Sequence, residues 1–449
     1  MRKLTSIILL LISFLGIAQQ KEKQSYSFSL QQAIAHGLEH NYTVINSTRD
    51  IDIAEKKKWE TTAAGLPQIN GAVDYTYNIE IPLNPIPAQF IDPTAPEGEF
   101  TALPFQPKQS VNARATLSQL IFDGSYIVAL QASKTYLQYY RNAKLKTDND
   151  VREMIITAYG NVLLAEESIA ILERNRTILD KTLSDTRETF KNGLIEEENV
   201  EQLEITQSTL MSNLNNAKRL RIIAGNLLKV TLGIDLNDDL VLTDKLETLA
   251  QDNMASVFTD DSFNVENTID YQIGVNFTQQ RNLEWKLEKS KALPTLAANV
   301  NFGYNAFNSE FRFLNGDQKY YNYSSVGVSL NVPIFSSGMR SARSQQAKIR
   351  YEQAKTQLTE TEQRLKLAHD QAKSEFEFAI EEFTTRKNSL RLAERIESKQ
   401  STKFTEGLSS SFDFSEAQRQ LYDAQQSFLQ SMSDVITRKA ALEKITNSK

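Results

Sequence analysis

The chain contains three histidines, and two of them, His36 and His40, stand four residues apart. On a helix that spacing places both rings on one face, where they can hold a metal ion. No acidic or thiol partner is expected to complete such a site, and the sequence has no cysteine. These histidines, and His369 further on, read as solvated helix residues. Neither a glycine-rich phosphate loop nor a Gly-x-Ser-x-Gly elbow occurs, so no catalytic group, cofactor site or metal site is expected and the protein does not read as an enzyme. One carboxylate pair remains. Asp413 and Glu416 are three apart, and Asp-x-x-Glu at a helix start can cap free backbone N–H groups. The same offsets from an earlier glycine, Gly193, hold Asn199 and Gln202, which can cap without charge.

The elements that position these residues show a strand-like pattern first. Leu296, Ala298, Val300, Phe302, Tyr304 and Ala306 alternate with Thr295, Asn299, Asn301 and Asn305. After a polar loop Val326, Val328, Leu330, Val332 and Ile334 alternate with Ser325, Gly327, Ser329 and Asn331. A period of two gives each strand one wet and one apolar side. The unit also occurs earlier, where Ile69, Val73, Tyr75 and Tyr77 oppose Asn70, Asp74 and Thr76, and Val111, Ala113, Ala115 and Leu117 oppose Asn112, Arg114, Thr116 and Ser118. Each hairpin opens on Leu-Pro and closes on Ile-Phe with a nearby Gly (Ile121-Phe122-Gly124, Ile334-Phe335-Gly338). The chain is an internal duplication. Its repeats cover residues 19–232 and 268–449, with strands at about 67–81, 110–122, 294–307 and 323–335, and an acidic connector of few strong patterns over 233–267.

Prolines mark what surrounds the strands. Seven of the ten lie between residues 82 and 109, so that loop cannot be helical and is expected to be extended and exposed. None occurs from Asp123 to Leu293 or after Pro333, which leaves two spans for uninterrupted helices, forming helical hairpins over about 125–231 and 338–446. Each span breaks at a glycine, in Phe190-Lys191-Asn192-Gly193-Leu194 and in Phe404-Thr405-Glu406-Gly407-Leu408. A glycine of this kind ends a helix and allows a reversal. The descending helices are therefore each about 100 Å long at about 1.5 Å per residue. A seam of Ile155, Val162, Ile169, Leu183 and Phe190, with Ala158, Ala165, Leu172 and Leu179, supports coiled-coil packing. A further helix is expected over 28–62, and another from about 268 to 291.

Arg2 and Lys3 precede an apolar run to Ile17, and Gly16-Ile17-Ala18 offers small residues for cleavage. Residues 1–18 thus read as a secretory signal peptide. The formal charge of −6 becomes more negative once that basic pair is removed, which argues against a nucleic-acid partner. No later segment reads as a transmembrane helix, so entry into a membrane requires a β-barrel. Four strands cannot close one, since the usual minimum is about eight, and several chains must pool strands. Two, three or four copies satisfy that count.

The whole mature chain resembles the TolC-like outer-membrane efflux protein family. The features in common are Leu30-Gln31-Gln32-Ala33-Ile34 with Asn41, the duplicated Leu-Pro strand starts, Leu120-Ile121-Phe122-Asp123-Gly124 and the two Phe-x-x-Gly-Leu turns. The resemblance implies a mainly α fold with a β-barrel part. In it a homotrimer forms one twelve-stranded outer-membrane barrel continued by a periplasmic α-helical coiled-coil barrel. It also implies a passive exit duct for small molecules in a tripartite system, with outer-membrane lipid, a periplasmic adaptor and an inner-membrane pump of RND or ABC type as partners. A duct for type I protein secretion is the rival within the class, and a soluble periplasmic coiled-coil adaptor is the rival outside it. The adaptor reading has no use for four amphipathic strands.

On this resemblance Asp413 and Glu416 match an acidic ring at the tunnel entrance, whose like charges would raise one another's pKa. Gly193, Leu194, Gly407 and Leu408 match the turns that dock the adaptor. Phe404 stands where the best-known member places a gate tyrosine, and Ser409 where it places an arginine, so neither can form a hydrogen-bonded or charged latch. Trp59 and Trp285 lie shortly before the strands, where an interfacial belt and ordinary helix packing both suit tryptophan.

Overall fold

The computed structural model describes residues 23–255 and 263–446. The signal-peptide reading and residues 256–262 of the connector lie outside them. In chain order the elements begin with β1 (Ser25–Phe28), α1 (Leu30–His40), α2 (Tyr42–Ala63), β2 (Gln68–Tyr77), β3 (Leu83–Pro87), β4 (Phe100–Pro104) and β5 (Gln109–Asp123). Two helices, α3 (Gly124–Lys191) and α4 (Glu197–Leu232), lead into β6 (Asp239–Leu242) and α5 (Leu246–Ala255). Then follow α6 (Ile269–Ser290), β7 (Thr295–Asn308), β8 (Tyr321–Asn331), α7 (Met339–Thr405) and α8 (Ser411–Thr446). The chain divides into two compact units.

The first unit comprises residues 1–50, 141–273 and 359–449. Its main core joins Val151, Ile155, Tyr159 and Val162 of α3, Leu228 and Leu232 of α4, Phe376 and Phe383 of α7, and Leu429 and Ile436 of α8. Spacings of three, four and seven put these residues on one stripe of each helix, as coiled-coil packing requires. A second cluster gathers Leu179, Leu183, Val200, Leu203, Leu210 and Phe414.

Three features of this unit differ from the sequence expectation. The helix over 28–62 is two helices broken at Asn41, whose Oδ1 accepts from Thr43 N and Val44 N while its Nδ2 donates to Thr231 O. A side chain that starts a new helix and ties it to α4 outweighs continuing the first. The connector is also structured, because β6 pairs in parallel with β1, which precedes it by about 214 positions. There Asp244 accepts from Leu30 N and from the Tyr159 hydroxyl, and so supplies the start of α1 with an acceptor. Finally, α3 contains a stretch apolar enough to cross a membrane, where the sequence reading found none. Its apolar residues from Val151 to Leu163 belong to the core.

The second unit comprises residues 51–140 and 274–358. Here β2, β5, β7 and β8 form one antiparallel sheet in the order β2-β5-β7-β8. The register aligns Ile69 with Leu117, Leu117 with Val300, and Val300 with Val326, so the apolar residues of all four strands share a face. The strand expected over 323–335 ends at Asn331, since Pro333 has no N–H to give the ladder. The proline-rich loop is extended where it pairs as the β3–β4 hairpin, but between those strands it makes a 3-10 turn at Ala88–Phe90, which the sequence expectation of no helix missed. The β7–β8 loop folds back, with Phe311 and Phe313 packing edge-on against Tyr75.

Candidate functional site

The sheet offers two chemically opposite surfaces. On the polar face Thr116 Oγ1 donates to Asn301 Oδ1 (2.8 Å), and Asn301 Nδ2 donates to Ser325 Oγ (3.3 Å), a rung across three strands. Arg114 pairs with Asp74 at 3.1 Å. Gly303 is required here, because a Cβ would come within 2.7 Å of Ala113 O and 2.8 Å of the Tyr323 ring. That clearance lets the Tyr323 hydroxyl reach Asn112 Oδ1 at 3.3 Å. The apolar face is bare: Val73, Val326 and Val328 are 73%, 77% and 66% exposed. Large apolar side chains left in water as a continuous face mark a surface that is covered by something else.

The first unit holds the other sequence-predicted residues. Gly193 and Gly407 have φ of +71° and +72°. At each turn the glycine N–H donates three residues back, to Phe190 O or Phe404 O, and the following leucine N–H donates five back, to Thr189 O or Lys403 O. This is the Schellman closure of a helix end. Leu194 and Leu408 are left 74% and 78% exposed.

Asp413 does not begin the helix cap as expected. Ser410 does: Asp413 N donates to Ser410 Oγ, and Ser410 Oγ donates to Asp413 Oδ2. Asn199 likewise does not cap its own helix, since its Oδ1 accepts from Ser411 N at the start of α8 (3.4 Å). Glu416 is bridged by Arg419, with contacts of 2.6 and 2.9 Å, and Arg419 also reaches Asp423. Those bonds hold the Glu416 carboxyl below the ordinary glutamate value, in the opposite direction to the sequence expectation. The cause is a cation that the sequence reading passed over, although its i+3 and i+4 spacing to Glu416 and Asp423 was legible.

Phe404 stacks on Phe414, with centroids 5.1 Å apart, and Phe414 is fully buried. Ser409 Oγ donates to Gln400 Oε1. Phe404 therefore serves packing, and Ser409 a local polar contact. His36 and His40 stack at 4.1 Å, and His40 Nδ1 lies 3.0 Å from His36 O. Burial first, and His40 second, lower the His36 pKa. His369 is not solvated, since it is buried and stacked on Phe263 at 3.9 Å. Among the described residues no cluster of three metal-ligating side chains occurs. Trp59 is exposed, and Trp285 is half-buried against Tyr351.

Residues 278–448 match the family model of the outer membrane efflux protein. That match covers the second of the two repeats. The fold of the chain is that of solved outer-membrane channels. The crystal structure of CusC superposes with a TM-score of 0.73 at 14% identity, covering 96% of this chain and 95% of that one. The CmeC outer membrane channel of Campylobacter jejuni gives 0.71 at 15% identity, covering 97% and 91%. The open state of the Neisseria gonorrhoeae MtrE outer membrane channel gives 0.68 at 16%, covering 93% and 88%. No curated protein matches the sequence. The family match of this segment and the channel fold of the whole chain thus agree in the class of protein they resemble.

Proposed function

We infer that the protein is the passive exit duct of a tripartite efflux system, working as a homotrimer with a periplasmic adaptor and an inner-membrane pump, and exporting small molecules. The observation that carries this is the sheet, with a bare apolar face, a hydrogen-bonded polar face, and β2 and β8 as its outer strands. Open edges are not tolerated in lipid, and four strands enclose nothing. Three copies joined β8 to β2 supply twelve strands and no edge, with the apolar face toward lipid and the polar face around the passage. The exposed leucines after the two glycines are the surfaces that dock the adaptor.

The chain has no cysteine, so introduced pairs report cleanly. Asn70→Cys combined in turn with Ser325→Cys, Gly327→Cys and Ser329→Cys should give covalent trimers on oxidation in outer membranes, and the purified trimer should conduct in planar bilayers. Monomers from every pair, or trimers that do not conduct, would sink the duct. Appearance of a secreted protein in the medium, with dye export unaffected by deleting the gene, would instead favour protein secretion.

A further inference from the structure

Next to the sheet, α6 and α7 pack against each other. They pack antiparallel: Thr278 Oγ1 donates to Ala354 O (3.4 Å), a Cβ on Gly274 would touch Leu358 at 3.0 Å, and Trp285 stacks on Tyr351 with centroids 6.1 Å apart. Along that register Lys289 lies level with Arg343 and Lys286 with Lys348, whereas Lys291 is ion-paired with Glu288. Lys289 sits 5.1 Å from the Trp285 ring centre, and Lys355 sits 4.3 Å from that of Tyr351.

The charge here is one-sided. From Met339 to Thr359, α7 has Arg340, Arg343, Lys348, Arg350 and Lys355 against one acid, Glu352. From Glu360 to Thr405 the same helix has nine acids and nine bases. A solvated helix face is ordinarily of the second kind, with the signs interspersed. Arg343, Lys348 and Arg350 are exposed and have no carboxylate partner among the described residues. The segment between β8 and α7 continues the bare apolar surface, for Val332, Ile334, Phe335 and then Met339 are exposed. Cations with tryptophan and tyrosine, directly beyond an apolar face, have the composition of a membrane boundary.

We propose that this belt seats the phosphates of anionic phospholipids in the leaflet that borders the helical side of the sheet. The proposal rests on the channel reading, which supplies the membrane. The lysines and arginines neutralise phosphodiesters, while Trp285 and Tyr351 keep their ring bodies at the edge of the apolar layer. The belt thereby fixes the depth at which the sheet sits.

The test uses the full-length chain in neutral detergent, titrated with phosphatidylglycerol and with phosphatidylcholine, and counts retained lipids by native mass spectrometry. Phosphatidylglycerol should be preferred, and the preference should collapse at high salt. Lys289→Gln with Arg343→Gln and Lys348→Gln should weaken it about a hundredfold, at about fivefold per cation near a surface. Lys289→Arg with Arg343→Lys and Lys348→Arg should preserve it, as should neutralising Lys366, Lys373 and Lys399 in the balanced part of α7.

Equal retention of both lipids by the unaltered protein, a preference indifferent to salt, or a triple variant that keeps the preference would overturn the proposal. Retention of peptidoglycan fragments in place of lipid would do the same. Insertion and conductance in pure phosphatidylcholine depend on the sheet alone, so they report separately on the channel reading.

Discussion

The two helical turns share a backbone, a phenylalanine and a leucine, and differ in the side chains that open the returning helix. Both close with a glycine near φ +70° and the same pair of backbone hydrogen bonds. The offsets that hold Asn199, Val200 and Gln202 in the first half hold Asp413, Phe414 and Glu416 in the second. In the first turn Glu196, at the cap of α4, makes no side-chain cap bond, and Asn199 serves the neighbouring helix instead. In the second, Ser410 and Asp413 satisfy their own helix start, and Glu416 enters an ion-pair chain with Arg419 and Asp423. A reversal is fixed by glycine geometry and main-chain bonds, which leaves the flanking side chains free to diverge after duplication.

The largest test of that comparison is functional. Leu194→Asp and Leu408→Asp alter exposed side chains and should leave trimer yield unchanged while abolishing dye efflux and adaptor crosslinking. Loss in only one of the two would show that the shared backbone does not give a shared docking role.

Stability should separate the halves next. Phe414→Ala empties a fully buried, stacked ring site and should cost about 3–5 kcal/mol. Val200→Ala, at the same offset, removes only two methyl groups and should cost about 2 kcal/mol. Equal shifts in the urea midpoint would mean that the second cluster is not organised around Phe414.

The glycines should behave alike. Gly193→Ala and Gly407→Ala each place a Cβ in the left-handed region, at about 1–2 kcal/mol apiece. A clear inequality in thermal unfolding would break the equivalence of the two turns.

The smallest effect concerns charge. Because Arg419 lowers the folded-state pKa of Glu416, that carboxylate contributes stability above the ordinary glutamate value of 4.5, and the contribution fades as the pH falls through the lower folded value. Cation preference in planar bilayers should thus persist down to pH 5. Asp413→Asn with Glu416→Gln, which copies the polarity of the first half, should abolish that preference at every pH without unfolding the trimer. Arg419→Gln should move its loss to higher pH. Selectivity unchanged in both variants would make Asp413 and Glu416 structural groups only.

What the sequence determined by itself was whatever repeats over neighbouring residues. Alternation from Leu296 to Ala306 and from Val326 to Leu330 required strands with unlike faces, and proline-free spans ending at Gly193 and Gly407 required long helices that reverse. Tertiary structure decided what depends on a distant partner. Four residues, Ser25–Phe28, are too few for a period to show, and they become a strand only because Asp239–Leu242 lies beside them. Asn41 breaks a helix because Thr231 O is within reach, and His369 is buried because Phe263 covers it. Asn199 caps α8 rather than its own helix because the two turns are neighbours. Such choices are made by hydrogen bonds and burial between residues far apart in the chain, for which local spacing carries no signal.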